Sequence, residues 1–133
     1  MANWYGTCRS NYFRIKDEEA FLAMMNQFEV DIIRKDDKVG FVSQTEFGDI
    51  PQYWPGDDFQ EEPICILNCL AEHLAENSVC VVMEIGAEKA RYLTGQAIAI
   101  AWTGEVTTVS INDIYKQAQE EFGGDAEITE VMY

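Results

Sequence analysis

The run Val79-Cys80-Val81-Val82-Met83-Glu84-Ile85 constrains the fold more than any other segment. β-branched residues are stiff at χ1 and pack well on a pleated surface, so a run of this composition predicts a central strand. A central strand needs neighbours on both sides, and the rest of the chain supplies them. Ala97 to Trp102 and Glu105 to Ser110 flank Thr103-Gly104, the length of a tight hairpin turn, and Arg91 to Leu93 lengthens the first of these strands with Gly95 as a bulge. Val30 to Arg34 and Val39 to Ser43 enclose the polar turn Lys35-Asp36-Asp37-Lys38, predicting a second hairpin. Ser10 to Lys16, with Tyr12, Phe13 and Ile15, alternates weakly and favours one further strand.

Helical patterns separate these strands. Asp17 is placed as an N-cap, Glu18 and Glu19 suit the positive end of a helix dipole, and Phe21, Met24, Met25 and Phe28 recur at helical spacing, predicting a helix over 17 to 28. Pro63 can open a second helix, whose apolar stripe is Ile64, Leu67, Leu70, Ala71 and Leu74, ending near Glu76. Ser110 with Asp113 resembles a capping box for a third, which lays Ile111, Ile114, Tyr115, Ala118 and Phe122 on the core and stops at Gly123-Gly124. Residues 125 to 133 read as an edge strand or a frayed tail. The whole chain, 1 to 133, is expected to form one α+β domain: a mainly antiparallel sheet packed by about three helices, with a ferredoxin-like arrangement as the candidate.

Residues 45 to 62 break every periodicity. Gly48, Pro51, Pro55 and Gly56 punctuate the stretch, and Phe47, Tyr53, Trp54 and Phe59 stand among its acids. A loop of this length inside a small domain is unusual, and such loops often carry function. Rings supply contact area at low entropic cost, and carboxylates steer a basic partner from a distance. The same rings can equally serve to pin the loop to the sheet.

Charge sharpens that reading. The net formal charge of -15 is unevenly spread: residues 1 to 16 carry Arg9, Arg14 and Lys16 and no acid. Two stretches hold acids without any Lys or Arg. Glu46, Asp49, Asp57, Asp58, Glu61 and Glu62 lie in the first, and Glu120, Glu121, Asp125, Glu127 and Glu130 in the second. These residues, with Tyr53, Trp54 and Phe59, are the candidate partner-binding set. Such a balance opposes direct nucleic-acid binding and association with anionic membranes, and favours a basic protein partner. No apolar run approaches the length of a membrane span, and the first residues show no basic region followed by an apolar stretch, so a cytoplasmic location is expected.

Chemistry-bearing residues are few. Cys65, Cys69 and His73 recur every four residues, one turn apart on the predicted second helix, which is suggestive of zinc; structural zinc sites, however, usually draw ligand pairs from two segments. Small residues at a helix border are the simpler reading, and no metal or other cofactor is expected. His73 is the only histidine, so any His-centred catalysis must use it, yet one helix face offers no oxyanion hole. Cys80 reads as core, and with no secretory leader visible all four cysteines read as thiols. Phosphate-loop, dinucleotide-binding, nucleophile-elbow and zincin motifs do not occur, and no catalytic residue is assigned.

Ala2-Asn3-Trp4, the acid-capped helix ending in Met25-Asn26-Gln27-Phe28, Arg91-Tyr92-Leu93-Thr94-Gly95 and Ser110-Ile111-Asn112-Asp113-Ile114-Tyr115 together resemble small proteins of phages, plasmids and other mobile elements, some of which have ferredoxin-like domains. In size and charge the chain is similar to the acidic inhibitors of CRISPR and restriction nucleases. That resemblance implies a non-catalytic nucleic-acid mimic, whose carboxylates stand in for phosphates against a basic host defence protein. Two alternatives remain: a small enzyme or ligand-binding protein with a pocket near 45 to 62, and an acidic accessory or assembly protein, for which a homodimer built on an edge strand is the signature.

Overall fold

The computed structural model describes residues 4–53, 62–90 and 92–131. In chain order the elements are β1 (Trp4–Ser10), α1 (Glu18–Met25), β2 (Val30–Lys35), β3 (Lys38–Ser43), β4 (Gln52–Tyr53), β5 (Ile64–Cys65), two short 3-10 turns (Ile66–Asn68 and Ala71–His73), β6 (Val79–Glu88), β7 (Tyr92–Ala101), β8 (Val106–Ser110) and α2 (Asp113–Phe122). Six strands form one sheet in the order β2-β3-β1-β6-β7-β8, every pair antiparallel, and β4 with β5 forms a separate small ladder. The described residues thus form a small α+β domain with a six-stranded antiparallel sheet and two α-helices.

β6 is central, as its composition demands, and extends to Glu88 because it pairs continuously with β1 on one side and β7 on the other. The β2–β3 hairpin turns on Asp36 and Asp37, with Asp36 at a φ of 57°, where the short Asp side chain is tolerated. Asp17 caps α1 by accepting from the Ala20 N–H at 3.2 Å. At the other end of the chain, Asp113 accepts from the Ser110 N–H at 2.7 Å, but the N-cap of α2 is Asn112 and not Ser110, so the expected capping box does not form.

Several sequence expectations give way to tertiary pairing. The first strand is Trp4–Ser10 and not 10 to 16, since residues 4–10 find a full-length partner in β6. Beyond Ser10 the chain peels off: the Asn11 side chain accepts from Val81 N–H and donates to Val79 O, and Phe13 and Ile15 keep only isolated bridges to Val39 and Leu74. The predicted second helix is broken into β5 and the two 3-10 turns, because β4 holds Ile64 and Cys65 extended. Of its apolar stripe, Leu70 and Leu74 are fully buried while Ile64, Leu67 and Ala71 are partly buried, and Ile66, outside the stripe, is sealed with them. Gly95 pairs regularly with Ile85 and forms no bulge; a Cβ there would stand 3.1 Å from Ile111 Cγ2, so glycine makes room for that side chain. Among the described residues of 125–131 no strand forms.

The core lies on one face of the sheet. Cys8, Phe41, Val82, Cys80, Ile98 and Ile100 meet Phe21, Met25 and Phe28 of the α1 region and Ile66, Leu70 and Leu74. Phe13 stands edge-on to Phe21 with centroids 5.9 Å apart. Ser10, buried in this core, donates to Asn11 O and accepts from Phe41 N–H, so its hydroxyl is satisfied. α2 contributes nothing to it: none of its residues is buried, and Phe122 is 73% exposed. The third helix was expected to cover the core, but that face is already filled by α1 and the 3-10 turns.

Candidate interaction surface

The first acidic stretch begins as a strap over the inner face. The backbone of Phe47 and Gly48 rests directly on Gly6 of β1, where a Cβ would collide with Phe47 O, and Gly48 has a φ of +67°. Thr45 Oγ1 donates to Asp49 Oδ1 at 2.5 Å and accepts from Asp49 N–H at 3.1 Å, and Ser43 Oγ donates to Asp49 O. Glu84 of β6 then anchors the strap: its carboxylate accepts from Ile50 N–H at 2.7 Å and from Gln96 Nε2 at 2.9 Å. Tyr53 stands edge-on to Phe28 with centroids 5.0 Å apart, so this ring pins the loop to the core. Trp54, Asp57, Asp58, Phe59 and Glu61 lie outside the described residues.

Glu46, Asp49 and Glu62 are exposed, as are Glu120 and Glu121 on α2 and Asp125, Glu127 and Glu130 after it. Among the described residues, ion pairs join Arg14 to Asp37 and Arg34 to Glu18, and His73 Nε2 lies 3.6 Å from Glu72 Oε1. None involves a carboxylate of either acidic stretch. Glu120 and Glu121 moreover stand near the negative end of the α2 dipole, in a last turn that holds no base. The basic N-terminal region is used internally, with Arg14 holding the Asp37 carboxyl below its ordinary range and Arg9 lying over the Tyr12 ring at 5.7 Å.

Cys65, Cys69 and His73 do not converge, since no helix stacks them. Cys69 Sγ approaches Cys65 O at 3.7 Å, while His73 stands edge-on to Phe21 and 3.6 Å from Glu72. No three His, Cys, Asp or Glu side chains among the described residues are grouped to hold a metal ion. Burial pushes the Cys8 and Cys80 thiols up to about 12, with Glu84 and Asp49 adding to the effect at Cys8, and raises Cys69 as well. A thiol so far from ionisation is a poor nucleophile.

Sequence reasoning missed the outer face of the sheet. Strand register places Tyr5 beside Ala87 and Leu93, Thr7 beside Ile85, Arg9 beside Met83, Ala97 and Val109, and Val81 beside Ala99 and Thr107. Arg9 is the single charged residue in this set. Met83, Ile85 and Val109 are 57%, 56% and 61% exposed, and Ile111 and Ile114 extend the apolar surface into α2. A shallow hollow is lined by Met83, Ile85, Ala97, Val109 and Ile111, and a second by Tyr5, Ile85 and Leu93. Contiguous apolar area of this kind marks contact sites. A signal existed: β6 is apolar at both phases of its alternation, the pattern of a strand that needs cover on both faces.

No family model matches the chain, and neither a curated protein nor a solved structure is significantly similar to it. Among the described residues no helix is long and apolar enough to cross a membrane.

Proposed function

We propose that the chain is a non-catalytic acidic binding protein of mobile-element origin that acts in the host cytoplasm against a basic, nucleic-acid-binding defence protein, in the manner of anti-CRISPR or anti-restriction inhibitors. Its carboxylates take the place of phosphates, so the partner's Lys and Arg meet this chain instead of nucleic acid. The observation that supports this reading is the exposure, with no ion pair among the described residues, of Glu46, Asp49, Glu62, Glu120, Glu121, Asp125, Glu127 and Glu130. Surface acids not held in ion pairs remain available to a basic ligand. The fold-level part of the proposal is a ferredoxin-like ancestry: β1, α1, β2 and β3, followed by β6 beside β1, place these strands in the order β6-β1-β3-β2, with the 3-10 turns standing where a second helix would run.

The test is inhibition of purified CRISPR effectors and restriction nucleases by the full chain at low and high salt. The expected result is stoichiometric inhibition that weakens with salt and is lost when Glu120, Glu121, Asp125, Glu127 and Glu130 are changed to amides together with the acids of 46–62. Inhibition untouched by those changes would overturn the mimicry, and absence of binding to every nuclease tried would overturn the reading itself. A second reading, an accessory or assembly protein, is favoured by a different observation: the exposed apolar outer face of β6, β7 and β8.

A further inference from the structure

The two edges of the sheet are built differently. β2 carries Asp31, Arg34 and Lys35, the charges with which natural edge strands discourage pairing. β8 reads Val106-Thr107-Thr108-Val109-Ser110, with no charge and no proline, and Val106 and Val109 are about as exposed as the outer-face residues. We infer that β8 is a pairing edge for a second copy of this chain, giving a twofold dimer in which one sheet runs through both copies and Thr107 lies on the axis.

The backbone specifies the register. Ala101 N–H donates to Glu105 O and Ile111 N–H donates to Gly95 O, so residues 105, 107, 109 and 111 direct their peptide groups to β7. Val106, Thr108 and Ser110 therefore direct theirs outward. The Ser110 N–H is taken by Asp113, which leaves Val106 and Thr108 as the residues with outward donors for an incoming strand. A twofold axis normal to the sheet keeps inner face with inner face, so only residues of like parity can oppose each other. Pairing Val106 with the second copy's Thr108, and Thr108 with its Val106, satisfies these outward groups reciprocally and sets Thr107 opposite itself.

Charge selects a second copy at this place. Two chains of -15 repel at a distance, and they can meet only where carboxylates are scarce. β8 has none, and the outer face beside it carries Arg9 as its charge, so the two apolar faces become one continuous surface across the axis. The Glu105 carboxylates fall at opposite ends of the paired strands, about 14 Å apart along the strand direction. This inference stands apart from the acidic-surface reading and does not depend on it.

The test is the mass of the full chain in solution, by light scattering and sedimentation, with three variants. The expected result is a dimer for the native chain. Thr108→Pro removes an outward N–H without touching a β7 bond, and proline is tolerated at such edge positions, so it yields a folded particle of half the mass. Thr107→Lys places two ammonium groups at the axis and has the same effect. Thr107→Cys crosslinks efficiently under mild oxidation, since Cα atoms in a non-hydrogen-bonded pair lie ~4.5 Å apart, whereas Val109→Cys does not. Circular dichroism of each variant verifies folding. A native chain that stays monomeric at every concentration overturns the inference, as does a dimer that persists in both folded Thr108→Pro and Thr107→Lys variants. Crosslinking through Val109→Cys in preference to Thr107→Cys overturns the register.

Discussion

On the inner face of the sheet, Phe41, Val82, Ile98 and Ile100 lie under α1 and the two 3-10 turns; on the outer face, Met83, Ile85, Leu93 and Val109 stay about half exposed. The side chains are of the same kind, often from adjacent positions of one strand. What separates them is the supply of covering elements. Two short helical turns and one helix of two turns suffice for one face, and α2, which has the apolar stripe to cover the other, contributes no buried residue. Hydrophobic sequence therefore states a need for burial and does not say whether the same chain meets it.

The largest expected contrast tests that comparison directly. Phe41→Ala is expected to cost about 3–5 kcal/mol in chemical unfolding, the range for a large buried aromatic, while Met83→Ala costs under about 1 kcal/mol. Equal losses would mean that the outer face is covered in solution. Next in size is Glu84→Ala, which removes the acceptor for Ile50 N–H and Gln96 and leaves the strap over the inner face untethered. A loss of about 2 kcal/mol is expected, with faster hydrogen exchange at Ile50. Unchanged exchange there would show that the Gly6–Gly48 contact alone holds the strap.

The buried thiols sharpen the comparison on a pH axis. Folding raises Cys8 and Cys80 from 9.0 to about 12, so between these values the native state binds more protons than the unfolded state. The stabilisation is complete below pH 9.0 and is lost as pH rises towards about 12. Native protein should resist alkylation at Cys80 and Cys8 at neutral pH, whereas denatured protein reacts at all four cysteines; mass spectrometry of modified peptides reads the difference. The smallest effect is expected at the exposed Arg14–Asp37 pair. Its lowered carboxyl pKa means that any contribution exists above the ordinary Asp range and disappears as pH falls through the depressed value. Asp37→Asn should leave the unfolding midpoint at neutral pH nearly unmoved, because exposed pairs contribute little.

Much of the architecture was legible locally. The 30–43 hairpin, the Asp17 cap and the central β6 strand all rest on contacts among near neighbours, or on composition strong enough to overrule context. The second helix was not legible in this way. Ile64, Leu67, Leu70 and Leu74 satisfy a helical period, but 3-10 turns bring residues three apart onto one side as well, and the β4–β5 ladder that decides between them joins residues distant in sequence. With that helix went the stacking of Cys65, Cys69 and His73. The acidic stretches were visible as counts of charge, while the absence of an ion pair to Glu120, Glu121 and Glu130 among the described residues required their neighbours to be placed.

The sequence by itself determined that an α+β chain with a central apolar strand would form and that its excess charge would concentrate in two stretches. Tertiary structure decided which apolar residues are sealed, that β8 ends the sheet as an uncharged edge, and that α2 stands apart from the core. The physical reason is that alternation and helical period are properties of a segment, whereas cover, register and edge belong to pairs of segments. Only the folded chain specifies those pairs.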